Sequence, residues 1–138
     1  MTSWLRGPAQ AVLGGFLVLA GTAHLTVARE EFRAQVPPWV PLDVDLVVLL
    51  SGVVEIAVGA ALLLVWRHPR RAVVGAGAAA LFVAVFPGNI AQLTEQRDAF
   101  GLTTDTARAV RLLFQPVLVV WALWCTGAWR WWRERARS

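Results

Sequence analysis

Four long apolar runs dominate the sequence and limit the folds that it can adopt. The runs are 18 to 23 residues long, share a single formal charge at Glu55, and extend over 7–28, 46–66, 72–94 and 112–129. An α-helix of about 20 residues crosses roughly 30 Å of hydrocarbon and satisfies its backbone polar groups internally. The runs therefore predict an all-α membrane protein, a bundle of four transmembrane helices at roughly 8–28, 45–66, 72–94 and 107–129.

The rest of the sequence is too short for a separate soluble domain. Of the 138 residues, 57% are hydrophobic and 16% are charged, a composition more typical of a membrane protein than of a globular one. We therefore predict one domain over 1–138, with a basic cytoplasmic tail at 130–138. The single cysteine, Cys125, forms no internal disulfide and belongs to no Cys-x-x-Cys pair, so any redox function must use something other than a protein dithiol.

Arginine predicts the orientation, because the chain contains no lysine. Eight arginines stand near the two termini and in the second connector: Arg6, Arg67, Arg70, Arg71, Arg130, Arg133, Arg135 and Arg137. The positive-inside rule places this group, and with it both termini, in the cytoplasm of a cell-membrane protein. A net charge of +4 is also seen in nucleic-acid binders, but basic residues beside spanning helices more often contact anionic lipid. We expect the lipid bilayer as a partner and no nucleic acid.

The first run has an alternative interpretation as a cleaved signal peptide. Arg6 precedes it, and the small residues Thr26 and Ala28 stand before Arg29, as at a cleavage site. The single preceding arginine and the length of the run favour a retained helix, and cleavage would remove His24.

Polar residues inside the predicted helices are the candidate functional residues. The set comprises His24, Ser51, Glu55, Asn89, Gln92, Arg111 and Gln115. Such residues are costly in hydrocarbon and usually face a bundle interior, pair with one another or mark a functional path. At about 1.5 Å per residue, five of them fall within roughly 7 to 15 Å of the predicted outer edge: His24, Ser51, Glu55, Asn89 and Gln115. Residues of the set that share a helix are three or four residues apart, on one face. They predict one polar layer near the outer face.

Two interpretations of the polar layer remain open. In the first it is structural, and Glu55 neutralises Arg111 across the bundle. In the second the layer also contacts a ligand, the usual expectation for intramembrane ionisable groups. One histidine and one carboxylate fall short of the protein ligands of a catalytic zinc site, so no metal is predicted. The sequence identifies no catalytic residue.

Proline, glycine and capping residues add local expectations. Pro87 and Pro116 each remove a helical hydrogen bond beside the polar layer, freeing carbonyls near Val83 and Leu112. Prolines within 36–41 stiffen an outer loop that carries Trp39, and Asp105 is a candidate cap for the fourth helix. A stripe of small residues in the third helix predicts close packing: Gly75, Gly77, Ala78, Ala79, Ala80 and Ala84.

Five short strings along the chain resemble, in order, the successive signatures of DoxX-like membrane proteins. They are GTAH at 21–24, VPPWVP at 36–41, SGVVE at 51–55 with Gly59, FPGNI at 86–90 and RLLFQP at 111–116. The resemblance covers nearly the whole chain, although no single string is specific. Gly88 departs from it where alanine is expected, which changes backbone freedom and not polarity. The family pattern falls on His24, Ser51, Glu55, Asn89, Arg111 and Gln115.

The DoxX-like resemblance implies a four-helix membrane protein and two kinds of role. Some DoxX-like proteins are linked to quinone-dependent oxidation of thiosulfate, or to redox-defence complexes with soluble thiol and superoxide enzymes. A more distant animal relative is an assembly chaperone for receptors. Many members have no assigned activity.

Two functions follow as expectations, and neither makes the chain an enzyme by itself. The sequence has no haem-ligand pair, dinucleotide fingerprint or nucleophile with its base. The first function is a quinone- or small-ligand-interacting subunit of a membrane redox system, with quinone as the candidate cofactor and a soluble or membrane oxidoreductase as partner. The alternative is a noncatalytic membrane scaffold or assembly factor. Solute transport is less favoured, because a four-helix chain would need a homo-oligomer to build alternating access.

Overall fold

The computed structural model describes residues 3–26, 33, 36–94 and 104–138, without the side chains of Ser3, Gln92, Leu93, Asp105 and Arg108. Within the described residues, six helices have defined bounds: α1 (Ser3–Leu25), α2 (Val44–Leu64), α3 (Arg70–Ala84), α4 (Phe86–Thr94), α5 (Asp105–Cys125) and α6 (Ala128–Ala136). No strand occurs among these residues. The predicted all-α class is therefore confirmed.

Three helical segments are long and apolar enough to cross a membrane. They are Trp4–Leu25, Val44–Leu64 and Arg70–Ala91, the last combining α3 with the start of α4. A fourth span results if Ala109–Cys125 and α6 count as one broken span, although these two parts meet at 73°. The described residues thus support three or four spans by length and composition.

Helix boundaries differ from the prediction at three places. The first helix starts at Ser3 and not near residue 8. The fourth predicted helix begins at Asp105, and its cap is Thr104, whose hydroxyl accepts from the Ala107 amide at 3.2 Å. It ends at Cys125 and not at 129, because Gly127 adopts a left-handed φ of 73° and turns the chain into α6. Most of the predicted basic tail is therefore helical.

The two proline positions behave differently. The chain breaks at Val85, between α3 and α4, and the Gly88 amide donates to the Val85 carbonyl at 3.1 Å. This is the break expected from Pro87, which has no amide hydrogen to continue the ladder. Pro116 lies within α5, which continues through it to Cys125.

Glycines bring α1 and α2 into close contact. A β-carbon on Gly21 would lie 2.6 Å from the Gly52 carbonyl oxygen, and one on Gly59 would lie 2.7 Å from that of Gly14. Each helix supplies two glycines seven residues apart. Because the helices are antiparallel, the first glycine of α1 meets the second of α2, and the second of α1 meets the first of α2. Only residues without a side chain allow this approach of two backbones. In the third predicted helix the expected close packing is limited: Gly75 abuts Thr126, whereas nothing lies within 4 Å of a β-carbon on Gly77.

The long helices close into a ring. α1 packs on α2, α2 on α3, α3 on α5, and α5 on α1, while α4 packs against α5. Inside lies an apolar core of Leu13, Leu17, Leu62, Ala78, Ala79, Phe82, Ala122 and Cys125. On the outside, Leu19, Leu64 and Leu113 are 72%, 78% and 71% exposed. The ring is thus apolar both inside and on much of its outer surface.

Candidate ligand cavity

A cavity of about 720 Å³ opens at one end of the helix ring, beneath the segment 36–40. Six of the seven predicted polar residues line it: His24, Ser51, Glu55, Asn89, Arg111 and Gln115. The side chain of Gln92 lies outside the described residues. The structure therefore brings side chains from α1, α2, α4 and α5 to one place.

His24 and Glu55 lie in close contact on the cavity wall. Nδ1 of His24 lies 3.0 Å from Oε2 of Glu55, and the two side chains are 8% and 12% exposed. Gly52 makes this possible, because a β-carbon there would lie 2.8 Å from Cβ of His24. The close approach of α1 and α2 therefore places the imidazole beside the carboxylate.

The hydrogen on Nδ1 is directed to a different acceptor. Nδ1 also lies 2.8 Å from the Ala20 carbonyl oxygen, one helical turn back. A carbonyl only accepts, so Nδ1 carries a hydrogen and donates it to Ala20. The contact with Glu55 is close in distance but is not aligned as a hydrogen bond, and Oε2 is buried without a hydrogen-bond partner.

A second polar pair joins α4 to α5 and fixes the orientation of both amides. Nε2 of Gln115 donates to the Phe82 carbonyl at 2.7 Å, and Nδ2 of Asn89 donates to Oε1 of Gln115 at 2.9 Å. Both side chains are buried. Phe82 lies in the last turn of α3, where carbonyls lack intrahelical partners. The carbonyl that Gln115 binds is thus that of Phe82, one residue before Val83, the residue whose helical partner would be the missing amide of Pro87.

Arg111 lines the cavity but does not form the expected pair with Glu55. Within the described residues, the close contact of the Glu55 carboxylate is with His24 and not with Arg111. The structural interpretation of the polar layer paired these two residues from their similar depth, but depth in the bundle does not determine which helix lies next to α2. The cavity wall therefore carries one carboxylate, one guanidinium and one imidazole. No group of three or more His, Cys, Asp or Glu side chains that would hold a metal forms in the described part of the chain.

The sequence reasoning missed a second polar cluster, at the other end of the ring. Gln10 is fully buried and donates from Nε2 to the carbonyls of Leu62, at 2.7 Å, and Val65, at 3.0 Å. Arg71 donates from Nε to Oε1 of Gln10 at 2.7 Å and from Nη2 to the Cys125 carbonyl at 2.8 Å. These donors satisfy the last carbonyls of α2 and α5. Gln10 could have been identified as a candidate buried polar residue, because it is the one side-chain amide in the apolar part of α1. The sequence analysis used Arg71 only to predict the orientation.

Together the fold and the cavity define a class of protein: a helical bundle with three or four helices able to span a membrane, and a ligand-sized cavity with polar groups at one end. The chain belongs to the family described as "Domain of unknown function (DUF8561)", whose model matches residues 13–126. The match includes every residue that lines the cavity.

No curated protein and no solved structure matches the chain. The family match has no link to the DoxX-like proteins, so that resemblance stays a prediction.

Proposed function

We propose that the chain is an integral membrane protein of the DoxX-like type that binds a small amphipathic molecule in the cavity. The exposed apolar side chains of Leu19, Leu64 and Leu113 would contact lipid, and the long helices have the length to do so. Isolated exposed leucines are common on soluble proteins. Here they accompany helices of spanning length.

The proposed location is the cell membrane, with both termini in the cytoplasm and the cavity toward the outer face. One end of the ring is where α1 and α3 begin and where α2 and α5 end. Arg6, Arg67 and Arg70 lie at this end, and so does α6 with its arginines, which follows α5. The cavity belongs to the opposite end. This separation supports the orientation expected from the positive-inside rule.

The observation that carries the proposed function is the His24–Glu55 pair on the wall of a 720 Å³ cavity. Ligand sites typically measure about 300 to 1,000 Å³ and combine apolar walls with a few polar groups. The ligand we favour is a quinone or a related redox-active ring, bound as part of a membrane redox system. His24 and Glu55 would exchange protons with a ring oxygen, and a partner oxidoreductase would exchange the electrons.

The test is the small-molecule content of the protein after mild solubilisation. We expect mass spectrometry to find an apolar ring compound with the wild type and to find it lost in His24→Ala. Glu134→Gln is the matched control, because Glu134 is an exposed acidic residue on α6. Equal small-molecule content in His24→Ala and the wild type would exclude the histidine from the site.

A noncatalytic scaffold is the alternative, and the Asn89–Gln115–Phe82 chain favours it. These three groups bond to one another and hold α3, α4 and α5 together with no ligand. Purified protein that carries a polypeptide partner but no bound small molecule would support the scaffold over the ligand-binding function.

A further inference from the structure

We infer that the cavity recognises a neutral hydroxyl group carried on an apolar body. This rests on the proposed function, since it names the chemistry of the ligand that the cavity binds. It does not depend on the ligand being a quinone.

The first argument comes from Glu55. Its residue is 9% exposed, and Oε2 has no hydrogen-bond partner. An ionised carboxylate only accepts hydrogen bonds, and a buried acceptor left without a donor is unfavourable. Nδ1 of His24, 3.0 Å from Oε2, donates to the Ala20 carbonyl. A ligand that approaches this wall therefore gains most by donating a hydrogen bond.

The second argument comes from the amide pair. The Phe82 carbonyl requires the amino group of Gln115 to face it, and this in turn requires Asn89 to donate from Nδ2. One of the two hydrogens on Nδ2 of Asn89 is thus engaged, and its carbonyl oxygen, Oδ1, adds an acceptor to this residue, which lines the cavity. Like the carboxylate of Glu55, Oδ1 of Asn89 can accept a hydrogen bond from a ligand that donates one.

The third argument separates a hydroxyl from other donors. An ammonium group would also donate to Glu55, but the guanidinium of Arg111 lines the same cavity, and like charges placed together repel one another. A hydroxyl carries no charge, and its oxygen also accepts hydrogen bonds. It is therefore compatible with both charged groups.

The fourth argument concerns the remainder of the ligand. Phe16 and Phe114 line the cavity from α1 and α5 and are 52% and 59% exposed. Phe82 and Leu118 add apolar surface to the same lining. Because the aromatic rings extend from the cavity to the outside of the ring of helices, an apolar tail can lie along them while the hydroxyl reaches Glu55.

A matched pair of probes tests the inference on the purified full chain. 4-Octylphenol has a hydroxyl group, whereas 4-octylanisole replaces it with a methyl ether that accepts but does not donate. We expect the phenol to bind at least about tenfold more tightly, the effect of one hydrogen bond to a charged acceptor. Binding isotherms in the same detergent, with free probe concentrations measured by dialysis, correct for unequal partitioning into micelles.

Glu55→Gln locates the effect. Glutamine both donates and accepts, so the preference for the phenol should shrink in this variant and persist in Glu134→Gln. Equal affinities for the two probes in the wild type, or tighter binding of the ether, would overturn the inference and leave ligand binding in the cavity intact. If neither probe binds and no small molecule copurifies, the proposed function itself fails.

Discussion

At the scale of single residues, one nitrogen atom determines the chemistry of the cavity. Nδ1 of His24 lies close to both the Ala20 carbonyl and the Glu55 carboxylate, and it donates to the carbonyl. The imidazole is thereby held by its own helix. Its interaction with Glu55 is electrostatic, without an aligned hydrogen bond, and leaves that carboxylate able to accept from another group.

A double-mutant cycle measures this interaction. Glu55→Gln and His24→Ala should each destabilise the bundle, and their effects should deviate from additivity by about 0.5 to 3 kcal/mol, as for other residues in contact. The comparison cycle combines Glu55→Gln with Arg111→Gln, and its coupling should be smaller. Reversible unfolding in detergent gives both values. Additive losses for His24 and Glu55 would contradict the pair.

The sequence predicted which residues meet but not how they pair. The polar residues were identifiable because each interrupts an apolar helix, and depth along each helix placed them in one layer. The partner of Glu55 depends on which helix packs against α2 and at what rotation. The Gly21–Gly52 contact sets the rotation of α1 against α2. This rotation cannot be deduced from the spacing of the polar residues along each helix.

At the scale of helices, the glycine contacts between α1 and α2 position the His24–Glu55 pair. The pairs Gly14–Gly59 and Gly21–Gly52 each place backbone against backbone. Transmembrane helices associate through such close packing, because the hydrophobic effect contributes little to helix association within lipid.

Two alanine substitutions on α1 test the importance of this contact. Gly21→Ala should destabilise the bundle and weaken ligand retention, because its β-carbon would lie 2.6 Å from the Gly52 carbonyl oxygen. Gly15→Ala is the control, since nothing lies within 4 Å of its β-carbon. It should be neutral or stabilising by up to about 1 kcal/mol, as alanine favours a helix over glycine. Equal thermal shifts for the two variants would argue against close helix packing.

Helix ends were the least predictable part of the fold. The apolar run from residue 7 predicted a later start for α1 than Ser3. Pro8 lies inside α1, where it costs the helix a backbone hydrogen bond near its beginning and does not break its middle. The nine residues of α6 are too few for a helix to be stable alone, so local sequence did not indicate it. Its formation depends on its packing against α3 and α5.

At the scale of the whole molecule, the two ends of the ring differ. One end is tied by Gln10 and Arg71, which bond carbonyls of α2 and α5, and by Trp121, whose Nε1 donates to the Ala9 carbonyl at 3.0 Å. The other end holds the cavity. A closed end and an open end suit a protein whose ligand enters from one side.

Cysteine labelling in whole cells tests the proposed orientation. In a Cys125→Ser background, Leu42→Cys at the cavity end should react with an impermeant maleimide, and Ala136→Cys on α6 should not. Both positions are exposed, so accessibility differs only through the membrane. Labelling at position 136 and not at 42 would invert the topology and place the cavity on the cytoplasmic side.

The tight pairing of α1 with α2 also bears on how the protein is made. α1 and α2 are the first two helices with described bounds and carry both glycine contacts. Chains fold from the N-terminal side as they are synthesised. The hairpin, and with it the His24–Glu55 pair, can therefore assemble before α5 leaves the ribosome. Cavity closure must wait for α5, which supplies Arg111 and Gln115. Until α5 is synthesised, the His24–Glu55 contact of the nascent hairpin therefore lacks the cavity wall that α5 contributes.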